Sequence, residues 1–218
     1  MRNRAKNQIK NQIELYLIRH GSTVSNEEHR YLGQTDEPLS AEGIRQLKER
    51  ALDWKLPIPE LVFASPMQRC LQSAALLFPS VTVMEVPEWK EMDFGRFEGK
   101  NYEQLKNNPD YQAWIDSGGT IAFPGGENRQ EFVCRTICGM ENVLELLSER
   151  LQQRWCPECG SLGTVRVAAL VHGGTIMALL SHYAEGDFYD YQVANGRGYH
   201  CGILLQGGTV KMQIKEKL

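Results

Sequence analysis

A chain of 218 residues, 42% hydrophobic and 23% charged, has the composition of an ordinary globular protein and is long enough to bury one sizeable α/β core. Its 24 basic and 27 acidic side chains leave a net charge of -3, so there is no global electrostatic footprint for nucleic acid. No apolar run approaches the roughly 18 residues of a membrane helix, and six scattered cysteines do not form a disulfide framework, so a cytoplasmic location is expected.

Residues 1–12 hold Arg2, Arg4, Lys6 and Lys10 without an apolar segment and are expected to be a disordered basic tail, not a signal peptide. Ile13 to Ile18 (IELYLI) reads as a buried strand that ends at Arg19-His20-Gly21. A helix is expected from the N-cap Ser40 through Leu52, with Glu42 near its positive end. Leu61 to Ala64 (LVFA) is a second strand. It leads into Ser65-Pro66-Met67-Gln68-Arg69, where Ser65 suits an N-cap, Pro66 a first helical position, and Arg69 falls in the first turn. Val81 to Val86 reads as a third strand.

From Gly99 strand character disappears. Two short helical pieces, Tyr102 to Lys106 and Pro109 to Ser117, are closed by Gly118-Gly119 and by Phe123-Pro124-Gly125-Gly126, and residues of about 99–128 are expected to cap a site. Glu127 opens a long helix to about Arg154, in which Phe132, Ile137, Met140, Val143, Leu144 and Leu147 recur every three to five residues. Val165 to Val171 (VRVAALV) is a strand ending at His172-Gly173-Gly174, followed by a helix over Thr175 to Tyr183. Strands are expected over Tyr199 to Leu205 and Thr209 to Lys215. The last alternates Val210, Met212 and Ile214 with Lys211, Gln213 and Lys215, as a half-exposed edge strand does. Residues 13–218 thus read as a single domain. Cys156-Pro-Glu-Cys159 has the form of half a zinc knuckle, but neither Cys134/Cys138 nor His200/Cys201 offers a second half of the usual spacing, so no metal is expected.

Strands that are apolar throughout and followed by helices are those of a covered parallel sheet, whose ligands bind beyond the carboxyl ends of the strands. His20 and His172, far apart in sequence, can therefore meet at one mouth, joined by Arg19, Arg69 and a helix N-terminus. Two imidazoles, two guanidiniums and a helix N-terminus suit a phosphate.

These residues resemble the histidine phosphatase superfamily, also called phosphoglycerate mutase-like, in five blocks in family order: LIRHGSTVSNEEHRYLGQTDEPLSAEGIRQ, FASPMQRCLQSA, EWKEMDFGRFEG, FPGGEN and ALVHGGTIMALL. The resemblance implies a three-layer α/β/α sandwich with a mostly parallel central sheet, one antiparallel edge strand and a helical cap insertion. It implies a histidine acid-type phosphatase without cofactor, a phosphomonoester hydrolase working through a phosphohistidine intermediate.

His20 is the expected nucleophile, an imidazole largely neutral at pH 7, in a glycine-flanked turn that lets the backbone approach a phosphate. Arg19 and Arg69 supply bidentate forks for the phosphate oxygens, and His172 stabilises the transferring group as donor or cation. Glu88, Glu91 and Asp93 all stand near a position for a general acid. The family pattern points to Glu91, with burial beside Trp89 expected to keep it protonated. By the same resemblance Thr23, Asn26, Gly33, Gln34 and Gly173 fall at substrate-binding positions.

The cap stretch carries Lys100, Lys106 and Arg129 without the paired arginines of the family's mutases, and offers Tyr102, Tyr111, Trp114 and Phe123 as aromatic surface. The resemblance is greatest to the α-ribazole phosphatase branch, so the expected partner is a small phosphorylated metabolite, α-ribazole 5′-phosphate among the candidates. Nucleic acid and membrane are not expected as partners, and a homodimer is left open. The alternatives are a phosphoglycerate mutase and a non-catalytic phospho-ligand binding module.

Overall fold

The computed structural model describes residues 13–54, 56–153, 155–156, 161–162, 164–206 and 209–218. The expected tail and Cys159 lie outside these residues, and Cys156 is described only as backbone. In chain order the elements are β1 (Ile13–Arg19), α1 (Val24–Glu27), α2 (Ala41–Asp53), β2 (Leu61–Ala64), α3 (Gln68–Leu77), β3 (Val83–Glu85), α4 (Tyr102–Leu105) and α5 (Pro109–Asp116). There follow α6 (Arg129–Gln153), β4 (Trp155–Cys156), β5 (Ser161–Leu162), β6 (Val165–Val171), α7 (Gly173–Tyr183), β7 (Gly198–Gln206) and β8 (Thr209–Lys217). None of the described helices is long and apolar enough to cross a membrane.

Six strands form one sheet in the order β3-β2-β6-β1-β7-β8, and β4 and β5 pair separately. β3, β2, β6 and β1 run parallel, and β7 reverses against both β1 and β8. The expected antiparallel edge is present, and it is made by two strands: β7 runs counter to the rest, and the outermost strand β8 turns back again.

Alternation along the strands sends Leu15, Leu17, Phe63, Val167 and Ala169 to one face, where Met140, Leu147, Ile176 and Leu179 of α6 and α7 cover them. Tyr16, Ile18, Val62, Ala168 and Leu170 face the other way onto Cys70, Ala74 and Phe78, at α3, and α2 packs beside α3. The result is three layers. A third apolar cluster joins Met92, Phe97, Leu105, Tyr111 and Phe123 to Phe132 and Ala178, so the segment between β3 and α6 stands on the first turn of α6 and the side of α7.

Register decides what leaves the sheet together. Arg19 is paired with Val171, and Ala64 with Leu170, so His20, His172 and Ser65 emerge side by side at the carboxyl end. Three helix starts differ from the sequence expectation, each for a visible reason. The cap of α3 is Met67 and not Ser65, because the Ser65 hydroxyl is drawn to His172, and Asp36 Oδ1 accepts the exposed N–H of Gln68 at 2.8 Å instead. α7 begins at Gly173 with His172 as its N-cap. α6 begins at Arg129, because Asn128 and Glu131 exchange side-chain and backbone hydrogen bonds at 2.9 and 3.0 Å as a capping box, leaving Glu127 outside to pair with Arg135.

Candidate active site

The rings of His20 and His172 meet edge to face with centroids 5.2 Å apart. His20 Nδ1 lies 2.7 Å from the carbonyl of Gly21. A carbonyl only accepts, so Nδ1 carries the ring proton and Nε2 is a bare lone pair. Burial, and then the positive charges of Arg69 and Arg19, push the pKa of His20 well below its ordinary value. The turn is braced from behind. Gly21 N–H donates to Ser73 Oγ at 3.0 Å, and Asn195 Nδ2 reaches the carbonyls of His20 and Gly21 at 3.3 and 3.4 Å. The glycine at position 21 answers to packing and not to ligand approach, since a Cβ there would lie 2.6 Å from Leu47 Cδ1 of α2.

Arg69 is completely buried, yet its terminal nitrogens donate only to main-chain carbonyls, Gly33 at 2.7 Å and Thr35 at 3.0 Å. Those carbonyls are held by one carboxylate: Glu98 accepts from Gly33 N–H, Gln34 N–H and Thr35 Oγ at 3.1, 2.9 and 2.8 Å. Arg19 donates to Val193 O at 2.8 Å. Nε of both guanidiniums is buried without a hydrogen-bond partner, and neither cation pairs with a carboxylate among the described residues.

Glu91 is buried, which raises its pKa. The Met92 N–H at 2.9 Å, the Arg69 and Arg19 charges and the Gly174 N–H offset part of that rise. The carboxyl lies against Gly174 of α7, with Phe132 beside it, and the indole of the neighbouring Trp89 donates to Thr136 O at 3.2 Å. A Cβ on Gly174 would lie 2.5 Å from Glu91 Oε1 and 3.1 Å from Phe132 Cζ, so the carboxyl rests directly on the first turn of α7. Arg135 fixes the backbone below it, donating to the carbonyls of Glu88, Lys90 and Glu91 at 2.7, 2.7 and 2.9 Å. The other two acids are elsewhere: Asp93 accepts from Gly95 N–H at 2.8 Å in a turn, and Glu88 lies on the outside of the 3-10 turn Pro87–Trp89. His172 is fully buried, and burial with the charges of Arg69, His20 and Arg19 pushes its pKa well below the ordinary value.

Arg19, Asn26, Glu91, Gly173 and Gly174 line a cavity of about 340 Å³, with His20, Arg69 and His172 one layer deeper and at most 3% exposed. Its walls are aromatic, from Tyr31, Phe94, Trp114, Phe123, Phe188 and Tyr189, with Arg30 and Arg129 beside them. Arg129 lies over the rings of Phe188 and Tyr189 at 5.6 and 5.8 Å. Among the described residues no group of His, Cys, Asp and Glu is placed to hold a metal ion.

The remaining expected contacts divide. Asn26 reaches the cavity and takes a 2.9 Å hydrogen bond from Asn195 on Oδ1. Thr23 is buried as the N-cap of α1, and its hydroxyl accepts from Asn26 N–H. Gly33 acts through its carbonyl on Arg69, and a Cβ there would lie 2.1 Å from Met92 O. Gln34 is exposed and does not line the cavity. Sequence reasoning missed Asn195, Tyr31, Phe188 and Tyr189. Only Asn195 left a trace, in the turn dipeptide Asn195-Gly196, where Gly196 has φ 64° and its N–H meets the carbonyls of Arg19 and His20.

A model of the histidine phosphatase superfamily (branch 1) matches residues 15–204. The chain is 27% identical to the protein named uncharacterized phosphatase PhoE of Bacillus subtilis (strain 168), over 78% of this chain and 77% of that one. It is 30% identical to the adenosylcobalamin/alpha-ribazole phosphatase of Escherichia coli (strain K12), over 63% of this chain and 68% of that one. Among solved structures, a phosphoglycerate mutase from Thermus thermophilus is similar with a TM-score of 0.64 at 27% identity, over 94% of this chain and 98% of that one.

Proposed function

The chain belongs to the histidine phosphatase superfamily, and from that premise we propose that it hydrolyses phosphate monoesters through a phosphohistidine at His20 Nε2. The observation that carries this reading is a pair of guanidiniums, Arg69 buried and Arg19 half-buried, whose Nε atoms are buried without a partner and which have no carboxylate ion pair among the described residues, set beside an imidazole whose Nε2 is bare. Two such cations call for a dianion, and a phosphate monoester is one.

In the first step the Nε2 lone pair attacks phosphorus and the P–O bond breaks in line. The electron pair leaves with the alkoxide, and the Glu91 carboxyl gives that oxygen its proton. Phosphorylation makes the ring cationic, and the Nδ1–H to Gly21 carbonyl bond favours that charge. In the second step the Glu91 carboxylate takes a proton from water as the water oxygen attacks phosphorus, the N–P bond breaks back onto Nε2, and orthophosphate departs. Arg19, Arg69 and the N-terminus of α7 hold the equatorial oxygens throughout. Burial raises Glu91 toward its proton-donating form and lowers His20 toward its neutral, nucleophilic form, the directions an acid-type phosphatase needs.

Residues 13–218 act as one unit in this reading, with 99–128 as a cap over the cavity. The aromatic walls suit an alcohol carrying a flat apolar ring, and α-ribazole 5′-phosphate is the candidate we favour. Of the three basic residues in the cap stretch only Arg129 reaches the cavity, Lys106 being paired with Glu103, which favours hydrolysis over the mutase alternative. The test is turnover of p-nitrophenyl phosphate by wild type and His20→Ala. The variant should lose activity roughly a thousandfold or more, and label trapped on wild type should survive alkali and vanish in acid. A variant retaining more than a few per cent, or an acid-stable adduct, refutes the reading; a wild type inert toward all monoesters leaves a binding module.

A further inference from the structure

Behind His172 lies a buried group that the steps above do not use. Ser65 Oγ is 2.8 Å from His172 Nε2, and the same oxygen faces Met67 N–H at 3.5 Å and the Cys70 thiol. Cys70 Sγ stands 3.6 Å from Nε2 and 3.9 Å from Nδ1. The thiol thus rests against the ring, within sulfur hydrogen-bond distance of both nitrogens.

A hydroxyl oxygen accepts two hydrogen bonds and donates one. Met67 N–H approaches the accepting side of Ser65 at 3.5 Å. Its own proton then has one good acceptor within reach, the Nε2 lone pair of His172. The ring nitrogen that accepts cannot carry the hydrogen, so the hydrogen is on Nδ1, which contacts nothing else among the described residues except the thiol.

We propose that Ser65 is a positioning residue that donates to His172 Nε2 and fixes the ring as the Nδ1–H tautomer, so that His172 offers a transferring phosphoryl group an N–H and not a lone pair. The proposal rests on the phosphoryl-transfer reading above. Its physical need is plain. The groups whose charge bears on His172 in the empty site are Arg69, His20, Arg19 and Arg135, all of them basic, and with burial they disfavour the imidazolium, so a neutral ring that presents an N–H serves as the donor without a further charge. In the other tautomer a bare lone pair would face the phosphoryl oxygens. The second buried hydrogen bond sets which nitrogen of a histidine works, as at metal sites.

The experiment is a two-bond proton–nitrogen correlation spectrum of the uniformly 15N-labelled full chain at neutral pH, with the His172 signals assigned by their loss in His172→Gln. Protonated Nδ1 with bare Nε2 is expected, and protonated Nε2 would overturn the proposal. Ser65→Ala should abolish the preference and lower kcat on p-nitrophenyl phosphate about tenfold with KM little changed, the effect of one lost hydrogen bond in the transition state. Ser65→Thr, which keeps the hydroxyl, should restore both, whereas a Ser65→Ala protein that retains the wild-type tautomer would remove Ser65 from the account. Should Ser65→Ala fail to fold, the wild-type spectrum decides alone. The spectrum needs no turnover, so an inactive protein with the expected tautomer counts against the phosphatase reading and not against the hydrogen bond.

Discussion

The two buried histidines make stability fall on the acid side of pH 6.5, and the size of the fall can be worked out. Each ring has a folded pKa well below its ordinary value and an unfolded pKa of 6.5. Below pH 6.5 the unfolded chain therefore binds two protons that the folded chain refuses, and unfolding gains free energy as pH drops until the folded values are reached. Between pH 7.5 and 5.5 each ring contributes about 1.4 kcal/mol of lost stability and the pair about 2.7 kcal/mol. Glu91 has the opposite sign: its folded pKa lies above 4.5, so its contribution is full below 4.5 and lost as pH rises through the folded value. Left in place it would mask the histidines. The measurement is thus made in Glu91→Gln, by urea unfolding at the two pH values, and repeated with His20→Gln and His172→Gln added. The loss on acidification should be about 2.7 kcal/mol larger with the histidines present. A difference under about 0.5 kcal/mol would show that the folded protein admits protons to both rings, and the argument for a neutral nucleophile would fall with it.

Three substitutions probe the rest of the site. Glu91→Gln cannot deliver a proton, so in single-turnover experiments it should slow formation of the phosphohistidine from an alkyl phosphate about a hundredfold while formation from p-nitrophenyl phosphate, whose phenolate leaves unaided, is hardly affected; equal losses in that step would mean that Glu91 only positions. Gly174→Ala would put a methyl 2.5 Å from Glu91 Oε1, and overpacking of about 1 to 3 kcal/mol should appear mainly as a lower kcat on the alkyl ester, whereas undiminished kcat would show that the carboxyl has room to spare. Glu98→Ala frees the loop of Gly33, Gln34 and Thr35, in which the carbonyls of Gly33 and Thr35 aim Arg69, so KM for the ester should rise about tenfold, and an unchanged KM would make that loop irrelevant to the guanidinium.

The sheet was legible because β1 and β6 are runs of mostly apolar, branched residues, broken only by Glu14, Arg19 and Arg166, that close on glycine, as strands covered on both faces do. What brings His20 beside His172 is the register of Arg19 against Val171, and no single-strand pattern carries a pairing register. The start of α3 was misread for a related reason. Ser65 has the chemistry of a cap, but a partner 107 residues away takes its hydroxyl. Among Glu88, Glu91 and Asp93 the sequence alone offered no choice, since all three are acidic and close together. Burial separates them, and the Glu91 carboxyl lies against Gly174, with Phe132 beside it, both of them remote in sequence. The aromatic wall is assembled from four separate stretches, around Tyr31, Phe94, Trp114 and Phe188, none of which has a pattern of its own.

Neutral histidines and the raised pKa of Glu91 share one first cause, burial, which disfavours charge on all three; the two arginines reinforce it at the rings and oppose it at Glu91. Arg69 is buried and Arg19 half-buried, neither with a carboxylate ion pair among the described residues, and a third positive charge on either ring, already disfavoured by burial, would add repulsion at the same place. With the rings neutral, the positive charge of the site is that of its two guanidiniums, which do not lose it. A phosphate monoester dianion cancels that charge. An ionised Glu91 would halve the attraction and remove the proton that the leaving oxygen needs, so the same burial that is unfavourable in the empty protein sets the charge for binding and the proton for cleavage together. The arrangement costs stability until an anion enters, and inorganic phosphate or vanadate should therefore raise the melting temperature more than the same ionic strength of chloride does.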